Sequence, residues 1–264
     1  MKKQLKILLV AALAVATVLS LSACGSGAQG NSSTWPTYVV AMEPTFPPFD
    51  TTDEKDSKQL AGADYDMMEA IAKDQGFKLE WKNMSFDGLI PAVKSGNIDI
   101  IASGMADTKD REKEVLFSDT YYDSGLVVAV KEDNNTIKGK DDFTKDMIIG
   151  AQTGTTSSDM IQALAKKGKI KQAKIYNGLN EAVTDLTNGT IDALVNDKPV
   201  TENYIAKKPN TIKIVGDTLD AEHFAFAVKK DNTELCDKIN KGLKNIKDDG
   251  TFDKIMKEWK LGTD

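Results

Sequence analysis

The stretch SGNIDII at residues 95–101 indicates how this chain folds. Its order is that of a helix end, a glycine that can adopt the left-handed conformation, and a short apolar strand. The stretch NGTIDAL at residues 188–194 repeats this order in the second half of the chain. So short a match can arise by chance, but helix–glycine–strand junctions connect the units of alternating α/β structure, and the two copies predict two lobes of similar build.

Segments with strand-like patterns alternate with segments of helical period along the rest of the chain. The predicted strands are residues 38–41, 77–81, 98–102, 147–151 and 191–195. The predicted helices include residues 65–75, which Gly76 closes, and the segment from Ser85 to Gly96. This alternation predicts an α/β fold, and no segment has the length and polarity of a disordered linker between domains.

Residues 1–24 have the pattern of a bacterial export signal. Three lysines within the first six residues precede an apolar run over residues 7–21, and small residues follow before Cys24. At about 15 residues the run is shorter than the roughly 20 needed to span a membrane. The ending LSAC resembles the lipobox of bacterial lipoproteins, in which the chain is cut before the cysteine and its sulfur receives a diacylglyceryl group.

We therefore expect residues 1–23 to be a lipoprotein signal peptide, and we expect Cys24 to carry the lipid, palmitate included, that anchors the protein to the cell membrane. Residues 24–35, which are rich in glycine and serine, are expected to form a flexible tether. The alternative is ordinary secretion with Cys24 as a free thiol. The expected location is extracytoplasmic, on a Gram-positive surface or in a periplasm.

The charge of the mature chain argues against some classes of partner. The full sequence carries 34 basic and 40 acidic side chains, a net charge of −6. Loss of the three lysines in residues 1–23 leaves 31 basic against 40 acidic side chains, a net charge of about −9. Nucleic acids and anionic lipid surfaces attract clusters of Lys and Arg, so we expect no nucleic-acid partner and membrane attachment through the lipid alone.

His223 is the only histidine, and Cys236 is the only cysteine besides Cys24. A single histidine argues against zinc catalysis and against any Ser-His-Asp triad that does not use this ring. If Cys24 is acylated, Cys236 has no partner for a disulfide or a thiolate metal cluster. We expect no metal and no cofactor, with Cys236 buried as a small apolar residue in a helix.

Four polar clusters stand where predicted strands end or predicted helices begin. They are EPTFPPF at residues 43–49, SGMADTKDR at 103–111, QTGTTSSD at 152–159 and NDKP at 196–199. Ligands in open α/β sheets bind beyond the carboxyl ends of strands. Each cluster also has a structural interpretation: a turn with core aromatics, a solvated arginine, an ordinary helix cap, and a cap of the next helix.

Taken together, the four clusters complement an amino acid zwitterion. Arg111 can grip a carboxylate through two parallel hydrogen bonds, and the backbone N–H groups and hydroxyls near Thr155 form an anion site at a helix start. Asp197 can pair with an α-ammonium group. The loop at residues 43–49 adds a carboxylate and aromatic rings, and Gly104 lets the backbone approach a ligand.

At these residues the chain resembles the amino-acid-binding lipoprotein receptors of ABC importers, the polar amino acid group of bacterial solute-binding protein family 3. The resemblance runs from about Tyr38 to Trp259, and its motifs occur in the family's order. They are FPPF at residues 46–49, GADYD at 62–66, FDGLIPA at 86–92, DIIA at 99–102, TKDR at 108–111, FSD at 117–119, GTT at 154–156 and DAL at 192–194.

The resemblance implies an α/β fold that forms a two-lobed, periplasmic-binding-protein-like (type II) clamp with two crossing strands. One lobe would comprise residues 36–120 plus 222–264, and the other residues 126–217. The hinge crossings would lie at residues 120–125 and 217–222. We expect a monomer, because such a clamp must open and dock.

The resemblance also implies which residues bind the ligand. They are Glu43, Phe46, Phe86, Gly104, Ala106, Arg111, Thr155 and Asp197. Phe46 and Phe86 would sandwich the ligand side chain, and Glu43 sits where family members often carry an acid that faces it.

The α-carboxylate would be held by Arg111 and by backbone groups near Gly104 and Ala106. Thr155 would bind the same carboxylate from the second lobe, and Asp197 would bind the α-ammonium. Ala106 departs from the family pattern, because many relatives have Ser or Thr there, so only its backbone N–H is expected to serve.

The implied function is that of a receptor that binds a polar L-amino acid by clamp closure and delivers it to the membrane subunits of an ABC importer. Because Arg111 and Asp197 account for the zwitterion, Glu43 is left for the side chain, which favours Lys, Arg or His, with glutamine close behind. We expect no enzymatic activity. The alternatives are a dehydratase-like enzyme on the same fold, which would need an acid or base at the reacting atom, and a nutrient sensor subunit.

Overall fold

The computed structural model of the chain describes residues 34–262. The predicted signal peptide, Cys24 and residues 24–33 of the predicted tether lie outside the described residues. Within residues 34–262, no helix has both the length and the apolar character that crossing a bilayer requires.

Strands and helices alternate along the described chain, as the sequence predicted. In chain order the strands are β1 (Thr37–Met42), β2 (Thr51–Thr52), β3 (Leu60–Ala61), β4 (Lys78–Asn83), β5 (Ile100–Ile101), β6 (Val115–Phe117), β7 (Tyr122–Lys131), β8 (Ile148–Gln152), β9 (Gln172–Tyr176), β10 (Ala193–Asp197), β11 (Ile212–Val215), β12 (Ala221–Phe224) and β13 (Ala227–Lys229). The helices are α1 (Ala63–Gln75), α2 (Phe86–Ser95), α3 (Lys109–Glu112), α4 (Thr156–Lys166), α5 (Leu179–Thr187), α6 (Lys198–Lys207), α7 (Thr233–Asp248) and α8 (Thr251–Glu258), with a 3₁₀ turn at Lys140–Asp142.

The first sheet has the strand order β4-β1-β5-β13-β6. Strand β1 is parallel to β4 and β5, whereas β13 runs antiparallel to β5 and β6. Helices α1 and α7 pack against each other beside this sheet. A Cβ atom on Gly242 of α7 would lie 2.7 Å from Ile71 Cγ2, so the close approach of these helices requires glycine.

The second sheet has the order β11-β7-β10-β8-β9, with β12 paired to β7. Its parallel strands β10, β8 and β9 repeat the arrangement of β5, β1 and β4, and an antiparallel strand stands next to β10 as it does next to β5. The two sheets belong to two lobes of similar build, so the predicted fold class is confirmed.

The repeated stretch has the same structural role in both lobes. Gly96 and Gly189 are left-handed, with φ of 77° and 74°. Asp99 then exchanges two hydrogen bonds with Val39 at the start of β1, and each bond is 2.8 Å long. Asp192 makes the equivalent pair with Ile148 at the start of β8, at 2.7 and 2.8 Å. Each copy therefore ends a helix at its glycine and places the residues that follow beside a parallel strand.

Strands β7 and β12 connect the two sheets. Residues 122–125 of β7 pair with β12, and the later part of β7 pairs with β10 and β11. Strand β12 leads directly towards β13 of the first sheet. Ser124 and Glu222 are register partners on this antiparallel connection. The predicted lobe boundaries and hinge crossings stay predictions.

Element ends differ from the prediction by a few residues. Helix α1 begins two residues earlier than predicted, buries Met67, Met68 and Ile71, and ends at the left-handed Gly76. Strand β5 is much shorter than the predicted strand 98–102. Ile98 and Ala102, at the two ends of the predicted strand, are buried but lie outside β5.

Candidate ligand-binding site

A small cavity with many polar groups in its wall lies where strands of both sheets end. It is lined by Phe46, Phe86, Gly104, Ala106, Arg111, Gln152, Thr155, Thr156, Asp197 and Glu222. The structure therefore brings together seven of the eight predicted site residues, and it places Glu43 outside the lining. Their roles in ligand binding stay predictions.

Each side of the cavity is supplied by one sheet. Phe46 lies in the loop after β1, Gly104 follows β5, and Arg111 is carried by α3. From the other sheet, Thr155 precedes α4 and Asp197 ends β10. Because parallel strands bring their carboxyl ends to one edge, residues far apart in sequence converge there.

Arg111 joins the two sides of the cavity. Its guanidinium donates one hydrogen bond to the Ala106 carbonyl (2.9 Å) and one to the Gly154 carbonyl (3.0 Å). Its Cζ atom lies 5.4 Å from the centre of the Phe86 ring, a cation–π distance. Burial lowers the pKa of the guanidinium, and the charges of Glu222 and Asp197 oppose that shift. An arginine keeps its charge under these conditions.

Gly104 brings the backbone to the wall of the cavity. Its φ is +45°, and a Cβ atom there would lie 2.8 Å from Phe46 Cε1, so glycine is required. Its N–H already donates to Asp64 Oδ2 at 2.6 Å, which leaves the carbonyl oxygen for a ligand. The neighbouring Ala106 carbonyl accepts from Arg111, so a carboxylate at this wall would meet the Ala106 N–H.

Thr155 is both a helix cap and a wall of the cavity. As N-cap of α4, its hydroxyl accepts from the Ser158 N–H (3.1 Å) and donates to the Gln152 carbonyl (2.7 Å). The hydroxyl is thus engaged, and an anion would meet the N–H groups at the start of α4, next to Thr156.

Glu43 is hydrogen-bonded to Gln152 and is not among the residues that line the cavity. The Gln152 amide nitrogen donates to Glu43 Oε2 (3.0 Å) and to the Asn177 carbonyl (3.1 Å), while the Thr45 hydroxyl donates to Glu43 (2.9 Å). Both acceptors fix which end of the amide is nitrogen, so Gln152 presents its oxygen to the cavity. Burial raises the pKa of Glu43, and the bonds from Gln152 and Thr45 oppose that shift.

Asp197 and Glu222 form a carboxyl pair at the cavity. Asp197 is buried, and the Ser124 hydroxyl donates to its Oδ1 at 3.2 Å. Glu222 is also buried and lies within hydrogen-bonding reach of Asp197. Burial, then the charge of Glu222, raises the pKa of Asp197 well above its usual range.

A second carboxyl pair, Asp50 and Asp64, is fully buried in the first lobe. Asp64 accepts hydrogen bonds from the Gly104 N–H (2.6 Å) and the Tyr121 hydroxyl (2.8 Å). Burial and the charge of Asp64 raise the pKa of Asp50 well above its usual range. Neither residue lines the cavity.

Three lining residues, Gln152, Thr156 and Glu222, are not among the eight predicted site residues. Gln152 opens one of the four polar clusters, but its orientation depends on Asn177 and Glu43. One available signal was overlooked: Arg111 is the only arginine in a chain rich in lysine. Across residues 34–262, no group of three or more His, Cys, Asp or Glu side chains is arranged to hold a metal ion.

A two-lobed α/β fold with a charged cavity at its strand ends is the architecture of a solute-binding protein. The chain matches the model of bacterial extracellular solute-binding proteins, family 3, over residues 38–263, and it belongs to this family. The family that the resemblance predicted is therefore confirmed, and it is an extracytoplasmic family.

Several known proteins are similar over most of the chain. A probable histidine-binding protein of Campylobacter jejuni is 35% identical over 263 residues, which cover 97% of this chain and 100% of that protein. An ancestral arginine-binding protein, solved bound to arginine, is 43% identical with a TM-score of 0.79, covering 84% of this chain and 97% of that one. An ancestral arginine-binding protein solved bound to glutamine is also 43% identical, with a TM-score of 0.77, and the match again covers 84% of this chain and 97% of that one.

Proposed function

We propose that this protein is a receptor for an L-amino acid with a cationic side chain, with arginine ahead of lysine and histidine. One observation carries the proposal: the cavity sets a single guanidinium, Arg111, against two carboxyl groups, Asp197 and Glu222. A zwitterion adds no net charge to this set, whereas a cationic amino acid supplies the positive charge that balances it.

Each part of the ligand has a matching group in the proposed complex. The α-carboxylate lies between Arg111, the Ala106 N–H and the start of α4. The α-ammonium faces Asp197 and the Gly104 carbonyl. The side chain passes between Phe46 and Phe86, where aromatic faces favour a guanidinium or ammonium group.

The distal end of the side chain reaches the Gln152 oxygen in this proposal. Because the Gln152 amide nitrogen is already bonded to Glu43 and Asn177, its oxygen favours a ligand that donates hydrogen bonds there. This preference for a donor supports a cationic side chain. Glutamine, whose amide also donates, comes second. The similarity to a probable histidine-binding protein and to an ancestral arginine-binding protein supports a cationic side chain.

We further propose that binding proceeds by clamp closure. Three contacts join segments from opposite sides of the cavity: Arg111 to Gly154 (3.0 Å), Gln152 to Glu43 (3.0 Å) and Leu179 to Thr45 (3.3 Å). A ligand would have to favour the closed form by about 5.5 kcal/mol to move a 1:99 population to 99:1. Two or three buried charge-assisted bonds, at roughly 1.5–3 kcal/mol each, reach that scale.

The proposal includes a lipid anchor at Cys24, a monomeric receptor and delivery of the amino acid to an ABC importer. Cleavage before Cys24 and acylation would leave the domain on the extracytoplasmic face of the membrane. Cys24→Ser is expected to move the protein from the detergent phase to the aqueous phase in a phase-partition assay. A variant that stays in the detergent phase would contradict the anchor without touching the ligand assignment.

Thermal shift of the mature chain, residues 24–264, against all twenty L-amino acids tests the receptor function. Ligand at a hundredfold excess over Kd raises the free energy of unfolding by about 2.7 kcal/mol. We expect the largest shifts with arginine, lysine or histidine. No shift with any amino acid would contradict the receptor function, and consumption of a bound compound during the assay would favour the enzyme alternative.

A further inference from the structure

Glu222 is a buried carboxyl group of the cavity that lies on the connection between the two sheets. It is 8% exposed and is carried by β12, opposite Ser124 of β7. The Ser124 hydroxyl donates to Asp197 Oδ1, so Ser124 stands beside both acids. Two carboxyl groups from different strands therefore face the same end of the cavity.

A hydrogen bond between two carboxyl groups requires a proton on one of them, because two carboxylates can only accept. Asp197 and Glu222 lie within that reach. The charges that face the pair are the guanidinium of Arg111 from α3 and, behind it, Asp159 of α4. The neighbouring His223 is exposed on the opposite side of β12, where its Nδ1 lies 2.7 Å from Asp123 Oδ1.

We propose that Glu222 is a second carboxylate of the ammonium subsite, so that the ligand's α-ammonium lies between Asp197 and Glu222. This inference rests on the proposed function and deepens it. Because burial and the charge of Glu222 raise the pKa of Asp197, the arriving ammonium displaces a proton from Asp197 to the buffer, and the two carboxylates then face one ammonium group.

The number of acceptors matches the number of donors in this arrangement. An ammonium group has three N–H donors. Asp197, Glu222 and the Gly104 carbonyl, whose own N–H is occupied by Asp64, supply three acceptors on three different elements. A ligand without the α-amino group would leave the proton on Asp197 in place and gain nothing from Glu222.

Isothermal titration of the mature chain with two ligands separates this role from a merely structural one. L-arginine carries the ammonium group, whereas 5-guanidinopentanoate keeps the carboxylate and guanidinium but lacks it. For Glu222→Gln we expect affinity for L-arginine to fall about 10- to 100-fold. Affinity for 5-guanidinopentanoate is expected to change less than about threefold.

Proton release on binding gives a second readout, which Glu222→Gln would leave unchanged if the role of Glu222 were only structural. Titration of L-arginine at pH 6 in two buffers of different ionisation enthalpy is expected to show proton release for the wild type and less release for Glu222→Gln. The matched control is Asp220→Asn, an exposed acid two residues away, which is expected to keep the wild-type affinity and proton release.

Equal losses for the two ligands would overturn the proposal, because Glu222 would then act through Arg111 or through the fold. An unchanged affinity for L-arginine in Glu222→Gln would also overturn it. If Glu222→Gln fails to fold, Glu222→Asp is used, and the same selective loss for L-arginine is expected. A wild type that binds no amino acid would instead overturn the proposed function itself.

Discussion

The two buried carboxyl pairs of this molecule differ in what they face. Asp197 and Glu222 border the cavity and lie opposite Arg111. Asp50 and Asp64 lie inside the first lobe, away from the cavity lining, next to the buried Tyr121. In both pairs, burial and a neighbouring carboxyl group raise the pKa of one acid well above its usual range.

The difference shows how the same chemistry serves two purposes. A carboxyl pair that borders a cavity can exchange its proton for a cationic group of a ligand, so it contributes to binding. A pair sealed in a lobe has no such exchange and affects only the pH dependence of stability. Perturbed acids therefore indicate a binding site only where a ligand can reach them.

The largest expected effect is a loss of ligand affinity when the cavity pair or its partner Arg111 is changed. Arg111→Ala and Asp197→Asn each remove one partner of a buried charge-assisted contact, and we expect affinity for L-arginine to fall more than about 100-fold with the fold retained. Titration calorimetry measures the loss, and circular dichroism checks the fold. Lys113→Ala, an exposed residue next to α3, is the control. Wild-type affinity in either variant would show that the site assignment is wrong.

The interior pair is expected to control the pH dependence of stability. Burial is the main cause that raises the pKa of Asp64 from 3.8 to about 7. Between these values the folded chain holds a proton that the unfolded chain has released, so the free energy of unfolding falls as pH rises. The slope for one group is at most about 1.4 kcal/mol per pH unit.

Asp64→Asn stays neutral and keeps an oxygen for the Gly104 N–H and the Tyr121 hydroxyl. We expect urea denaturation of the ligand-free variant at pH 5 and pH 8 to show a flatter dependence than the wild type, with affinity for L-arginine within about threefold. Asp253→Asn, an exposed acid, serves as the control. If the free energy of unfolding of Asp64→Asn depends on pH as steeply as that of the wild type, the interior pair does not control the pH dependence of stability.

Gly154→Ala is expected to weaken ligand binding at the cavity and to leave the interior carboxyl pair unaffected. Gly154 has φ of +72°, and a Cβ atom there would lie 2.9 Å from Asp87 Cα across the cavity. Because this clash arises where the two sides of the cavity meet, it opposes the closed form and predicts about a tenfold loss of affinity for L-arginine by calorimetry. Gly189→Ala is the control, since φ is also positive there but no atom lies within 4 Å. Equal effects of both changes on affinity would contradict a closing contact at Gly154.

Glu43→Gln gives the smallest expected effect. The new amide can donate as well as accept, so it no longer fixes the orientation of the Gln152 amide. We expect competition binding to show a loss of about three- to tenfold for L-arginine and less for L-glutamine. If Glu43→Gln leaves the affinity for each ligand at its wild-type value, Glu43 plays no part in specificity.

The sequence predicted the parts of the molecule that depend on local pattern. The repeated glycine and aspartate stretch predicted two similar lobes, and the polar clusters after strands predicted Arg111, Thr155 and Asp197, which the structure places around one cavity. These predictions were possible because strand ends and helix starts are marked by nearby residues.

Contacts between distant segments could not be predicted from local pattern. Glu222 reaches Asp197 because of the register of β12 on β7, and local pattern does not specify this register. The inward positions of β12, Glu222 and Phe224, alternate with exposed ones, but so short a strand gave little signal. Glu43 was expected to face the ligand directly, and its position behind Gln152 depends on how two sheets meet.

Titration calorimetry of the mature chain with L-arginine and L-glutamine, in the wild type and in Asp197→Asn, shows whether the carboxyl pair and Arg111 together hold a cationic amino acid. We expect tighter binding of L-arginine than of L-glutamine by the wild type, and a loss of both in the variant. Binding of neither ligand, or unchanged binding in Asp197→Asn, would contradict a cationic amino acid held between Arg111 and the carboxyl pair.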